Sequence, residues 1–131
     1  MNFLELLFHS NLDEILWNKE IFQRVINDIK KQCPNVMTNY RFFNFCHHNY
    51  SKKLYTELKE LVIEGIIIPN KELHIATINK ELLSSKITNK KSKLCYEQEC
   101  AIKIFIQGVE INSKAYKYEN TNESFITKLF D

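Results

Sequence analysis

Residues 51–68 constrain the fold more than any other stretch of the chain. Ser51 offers a hydroxyl N-cap, and Leu54, Tyr55, Leu58, Leu61 and Val62 follow at steps of three and four. That spacing puts them on one side of a helix. Lys52, Lys53, Thr56, Glu57, Lys59 and Glu60 fall on its other faces. Gly65 stands where a left-handed C-cap is favoured. Ile66-Ile67-Ile68 then changes the chemistry to a short β-branched run, which reads as a strand. Pro69-Asn70-Lys71 is a turn signal, Leu73–Ile78 a second strand, and Asn79 a cap for a helix over residues 80–85. Helix and strand periodicities thus alternate within one short span, and the class is α+β.

The N-terminal side reads as helical. Phe3, Leu4, Leu7 and Phe8 belong to a short apolar helix whose exposed side is expected to meet a second copy of the chain. Ser10, with Asp13 three positions on, offers a capping box. Leu12, Ile15, Leu16, Phe22, Val25, Ile26 and Ile29 then form a helical stripe. It predicts one long helix, or two with a break near Trp17-Asn18, stopped by Cys33-Pro34. Residues 38–48 carry Tyr40, Phe42, Phe43 and Phe45, and are expected to form a short helix packed as a corner of the core. Near the C-terminus the pattern turns to period two. Cys100, Ile102, Ile104 and Ile106 alternate with Ala101, Lys103, Phe105 and Gln107. A strand over residues 99–111, a turn at Asn112-Ser113, a return strand over 115–118 and a closing helix with Phe125, Ile126, Leu129 and Phe130 are expected.

Composition excludes several function classes. The 131 residues hold 18 basic and 16 acidic side chains, a net charge of +2, so no partner follows from charge alone. With two Gly and two Pro, no Gly-rich nucleotide loop or flexible linker is expected. The N-terminus lacks a basic segment, Glu5 interrupts its apolar run, and no stretch approaches the roughly 18 apolar residues of a membrane span. A cytoplasmic protein without a membrane partner is expected, its four cysteines reduced. The abundance of Asn, Lys and Ile suits an AT-rich bacterial or viral genome.

Chemistry-bearing motifs are sparse. Cys46-His47-His48 has metal-ligating residue types, but neighbouring side chains on a helix diverge by about 100°. Cys33, Cys46, Cys95 and Cys100 fit no common zinc spacing, so neither metal nor cofactor is expected. Arg41 and His47 resemble the Arg–His element of HEPN-type ribonucleases. That family places a polar residue after the Arg, where this chain has Phe42, and it is all-helical. No nucleophile elbow, zincin helix or phosphate loop is present. No catalytic residue is assigned, and binding is expected instead of catalysis.

The segment Ser51–Ile67 resembles the recognition helix and wing of winged helix-turn-helix domains, with Leu58 and Leu61 as core anchors and residues 69–72 as the wing tip. The resemblance spans roughly residues 18–78, with residues 18–32 and 38–48 standing for the first two helices. It implies DNA binding through Lys52, Lys53, Thr56 and Lys59 on the helix and Lys71 on the wing, with Tyr40 and Arg41 flanking. Lys90 and Lys91 of the basic loop 86–93 add to that set. Glu57, Glu60 and Glu64 oppose it. Residues 36–80 hold six basic and four acidic side chains, a net of +2 (6 − 4), which is low for a collector of phosphates.

The competing expectation ranks slightly ahead. It is a non-catalytic protein of the immunity, antitoxin or inhibitor type, which occludes a protein partner such as a basic toxin or nuclease. Phe105, Tyr96, Tyr116 and Tyr118 of the second hairpin would be its anchors. Glu97 and Glu110 would face the partner's charge. The expected architecture is a single α+β domain over residues 1–131. A helical, winged-helix-like half (1–85) comes first, then a C-terminal β-hairpin and terminal helix (94–131).

Overall fold

The computed structural model describes residues 1–45, 48–88 and 93–111. The fold is mixed α and β. Helix α1 (Phe3–Ser10) is capped by Asn2, whose side chain accepts from the Glu5 N–H at 2.9 Å. It ends at Asn11, which takes the left-handed conformation with φ 54°. The chain then forms strand β1 (Glu14–Leu16). The long helix expected from Leu12 onward therefore begins later. Ile15 and Leu16 fit a helical stripe, but the sheet claims them.

Helix α2 (Lys19–Gln32) starts at the expected break, where the Asn18 side chain accepts from the N–H groups of Glu20 and Ile21. It stops one residue before Cys33-Pro34. The described residues between 38 and 48 form no helix. Tyr40 is fully buried, and strands β2 (Phe43–Phe45) and β3 (His48–Tyr50) make an antiparallel hairpin. The segment's aromatics are β-formers as much as core-formers, and its pattern lacks a three–four stripe.

Helix α3 (Lys52–Ile63) is capped by the Ser51 hydroxyl, which accepts from the Leu54 N–H at 3.3 Å. Its exit is a Schellman motif. The Gly65 N–H reaches Val62 O, the Ile66 N–H reaches Leu61 O, and Gly65 sits at φ 78°. Strands β4 (Ile67–Asn70) and β5 (Ile75–Ile78) follow, then the Asn79-capped helix α4 (Lys80–Lys86). In the three-stranded sheet β5 is central, antiparallel to β4 on one side and β1 on the other, with Ile15 opposite Ala76.

The largest departure is helix α5 (Tyr96–Val109), which stands in place of the first strand of the expected second hairpin. Period-two alternation of isoleucines is also compatible with a helical face. Ala101, Ile102, Phe105 and Val109 are the buried positions, at helical steps, and tertiary packing decides between the two patterns. The return strand and closing helix expected after residue 111 lie outside the described residues.

The core is built on aromatic edges. Phe3 makes T-shaped contacts with Phe22 of α2 and Phe105 of α5, each at 5.4 Å between ring centroids. Of the four residues expected to meet a second copy, Phe3 and Leu7 are enclosed in the chain's own core, and Leu4 and Phe8 are half-buried against it. Helices α2 and α5 touch closely at Gly108. A Cβ there would lie 2.3 Å from Val25 Cγ2.

That contact yields a stability prediction. Gly108→Ala gains about 1 kcal/mol of helix propensity but overpacks against a stiff β-branched neighbour, at a cost of about 1–3 kcal/mol. The urea midpoint should fall with the slope unchanged. Adding Val25→Ala should destabilise by less than the sum of the two single changes, and simple additivity would count against the contact.

Candidate nucleic-acid interface

Helix α3 is mounted from behind by two polar contacts. Gln23 on α2 is buried and clamps the backbone of Ser51: the Ser51 N–H donates to Gln23 Oε1 at 2.7 Å, and Gln23 Nε2 donates to Ser51 O at 3.0 Å. Leu54, Leu58 and Leu61 then face the core. One turn on, the Tyr40 hydroxyl accepts from the Phe3 N–H at 2.8 Å and donates to Glu57 Oε2. Lys30 Nζ donates to the Tyr40 carbonyl, and Lys53 Nζ lies 5.6 Å from the Tyr40 ring centroid. Tyr40 is therefore a core strut. It does not flank the surface as the winged-helix resemblance implied, whereas Arg41 beside it is exposed.

The outer face of α3 presents Lys52, Lys53, Thr56, Lys59 and Glu60, all exposed. Lys52, Lys53, Thr56, Glu57 and Glu60 line an open depression. Of the three glutamates that oppose an anionic ligand, Glu57 turns inward to Tyr40, and Glu64 pairs with Lys86 at 3.1 Å. Lys71 is exposed in the turn between β4 and β5, where the Asn70 side chain accepts from the Leu73 N–H and His74 takes φ 54°. Lys52, Lys53, Thr56 and Lys59 thus share one face, and Lys71 sits on the hairpin that follows. Lys90 and Lys91 lie outside the described residues.

Of the residues expected to grip a protein, Phe105, Tyr96, Glu97 and Glu110 are described. Phe105 is fully buried against Phe3 and cannot anchor a partner. Tyr96 is exposed in the first turn of α5, Glu97 is half-buried, and Glu110 follows the last turn. Tyr96 and Glu110 stand about 20 Å apart along the axis of that helix. Tyr116 and Tyr118 lie outside the described residues.

Among the described residues no group of three or more His, Cys, Asp or Glu side chains is placed to hold a metal ion. The buried Cys33 thiol is pushed up from its ordinary value by burial, then by Cys100 and Glu97 nearby. Cys46 and His47 lie outside the described residues. Residues 99–109 are helical, so one objection to the HEPN resemblance lapses. The three-stranded sheet remains foreign to an all-helical family. Among the described residues no helix is long and apolar enough to cross a membrane. No family model, curated protein or solved structure matches the chain.

Sequence reasoning missed Gln23 and the inward turn of Glu57. Both depend on partners far along the chain, and no local signal marks them. Burial pushes the Glu57 carboxyl above its ordinary 4.5; the Tyr40 hydroxyl and Lys53 oppose that rise, and Glu60 adds to it. The folded state therefore holds this proton more tightly than the unfolded chain does. Its contribution to stability is greatest below pH 4.5 and is lost as the pH rises through the folded value. Glu57→Gln should flatten that decline in urea titrations run across the acid range. Tyr40→Phe leaves the Phe3 N–H and the Glu57 carboxyl without this partner and should cost about 1–3 kcal/mol. An unchanged midpoint in Tyr40→Phe would refute the strut.

Proposed function

We propose that the chain is a non-catalytic nucleic-acid-binding domain of the winged-helix type, with α3 as the helix that enters the major groove and the β4–β5 hairpin as its wing. The observation that carries this reading is that two of the acids on α3 are engaged within the chain, Glu57 by the Tyr40 hydroxyl and Glu64, itself exposed, by Lys86. Lys52, Lys53, Thr56 and Lys59 are left there with Glu60 as the opposing charge. Cations near phosphates fix the register of such a helix, and a hydroxyl such as that of Thr56 can meet a base edge.

The topology supports the same reading. The order helix, strand, helix, helix, strand, strand runs through α1, β1, α2, α3, β4 and β5, with the small β2–β3 hairpin inserted before α3. The sheet order β1-β5-β4 backs the wing with a strand from the N-terminal side. The resemblance then takes in α1 and β1, which lie outside the span that the sequence alone suggests.

A second reading keeps the fold and changes the partner. Ile63 is 74% exposed, Ile68 52% and Leu73 60%. These apolar side chains stand at the end of α3 and along the wing hairpin, and a protein partner would bury them. An inhibitor, immunity or antitoxin role would then use this end of the molecule instead of the surface first expected near residues 96–118.

Fluorescence anisotropy of a labelled random duplex, at low and at physiological salt, separates the two. The nucleic-acid reading expects saturable binding that weakens steeply with salt. Lys52→Ala and Lys59→Ala should each weaken binding irrespective of sequence and lower the logarithmic salt slope by about one. An absence of binding at low salt would sink the duplex reading and leave the protein partner.

A further inference from the structure

The β2–β3 hairpin stands beside α3 and carries a feature that the winged-helix reading does not use. Phe43 and Tyr50 are opposite each other in the antiparallel register, so their side chains share one face of the hairpin. The Tyr50 ring lies 6.0 Å from the ring of Tyr55 in the first turns of α3. Lys19 Nζ, at the start of α2, sits 5.2 Å from the Tyr55 ring centroid. Tyr50 and Tyr55 are thus neighbouring rings that end on a cation, and Phe43 shares the hairpin face of Tyr50. The rings are open to solvent: Phe43 is 62% exposed and Tyr55 39%. An exposed Phe forgoes about 1.5–3 kcal/mol of burial, so an occupant that covers it is stabilised substantially.

Charge around the rings identifies the occupant. From residue 29 to residue 56 the chain contains no Asp or Glu. Arg41, two residues before Phe43, and Lys52, two residues after Tyr50, are both exposed at the open end of the hairpin, and Lys19 lies against Tyr55. Glu20 is the exposed acid next to Lys19. Planar rings edged by cations match a polyanion that itself carries planar rings. Within a duplex the base faces are covered by their neighbours, whereas unpaired bases present them.

We propose that Phe43, Tyr50 and Tyr55 form a stacking platform for unpaired nucleobases, with Lys19, Arg41 and Lys52 meeting the adjoining phosphates. This rests on the nucleic-acid reading and extends it: the domain takes a single-stranded segment beside the face that α3 offers to a duplex. Base-on-ring stacking tolerates any sequence, so affinity should depend on the rings and on salt more than on base identity.

The test uses the full chain, a labelled oligo(dT) strand of about fifteen nucleotides, and a blunt duplex of similar length. Oligo(dT) should bind at low salt. Phe43→Ala and Tyr55→Ala should each weaken it by roughly fivefold or more, while Phe43→Trp retains binding and its indole fluorescence is quenched by the strand. Lys103→Ala, exposed on α5, should bind as the unaltered chain does. Circular dichroism melts establish that each variant is folded, and Phe43→Trp keeps the test decisive should an alanine variant unfold. Failure of oligo(dT) to bind the unaltered chain overturns the platform. So does binding that the two alanine changes leave intact, or an indole signal in the Phe43→Trp variant that the strand does not alter. The duplex arm reads the other claim separately. Duplex binding without oligo(dT) binding removes the platform alone, and oligo(dT) binding without duplex binding upholds the platform and removes the recognition-helix role of α3.

Discussion

Phe3 is the residue on which the described structure converges. Its ring is edge-on to Phe22 and to Phe105, so one side chain joins α1 to both α2 and α5. Each such aromatic pair contributes about 0.5–1.5 kcal/mol beyond burial. Its backbone N–H is held by the Tyr40 hydroxyl, which ties the segment after α2 into the same joint. Because that hydroxyl also meets Glu57, the position of α3 is set from the centre of the core outward. The face offered to solvent by Lys52, Thr56 and Lys59 is thus rigidly related to the packing of three other helices.

A second fastening acts on the entry to α3. The amide of Gln23 satisfies both the N–H and the carbonyl of Ser51, which leaves the Ser51 hydroxyl free to cap the helix. Buried polar groups are tolerated where every partner is present, and these contacts fix the point at which the β2–β3 hairpin ends and α3 begins. At the other end, the Schellman exit at Gly65 turns the chain straight into β4. A helix pinned at its start, along its inner face and at its exit is a suitable carrier for a recognition surface, because little order is left to be gained on binding.

How much of this is legible in the sequence follows from the range of each interaction. The Ser51 cap, the leucine stripe, the Gly65 exit, the isoleucine strand and the Asn79 cap are signals within a few residues; the two helices stand where those signals put them, while β4 runs on through Pro69-Asn70 and the turn falls at residues 71–74. Strand β1 is hidden because Glu14–Leu16 is short and pairs with Ile75–Thr77, far along the chain. Helix α5 is hidden because its isoleucines alternate, and the deciding partners, Phe3 for Phe105 and Val25 for Gly108, belong to other helices. Of the candidate interface, the lysines and Thr56 of α3 are legible from the helical period. The fate of the glutamates between them is not, since Tyr40 and Lys86 are neighbours in space alone.

That last point decides how the charge of such a domain should be weighed. Residues 36–80 keep a formal net of +2 whatever their arrangement. An approaching ligand meets the charges that face it, and screening limits the rest to about a Debye length, roughly 8–10 Å in ordinary salt. Glu57 is half-buried, hydrogen-bonded to a tyrosine, and held nearer its neutral form than an exposed carboxylate. Glu64 has its charge met by Lys86. Glu60 and Glu72 stay exposed and Lys80 is met by Asp13 at 2.7 Å, so the gain in basic character belongs to the outer face of α3 and not to all ten charges. Where one acid is turned inward by the core and another is paired at the surface, a nearly neutral sequence can still offer a face for phosphates, and net charge read from composition understates it.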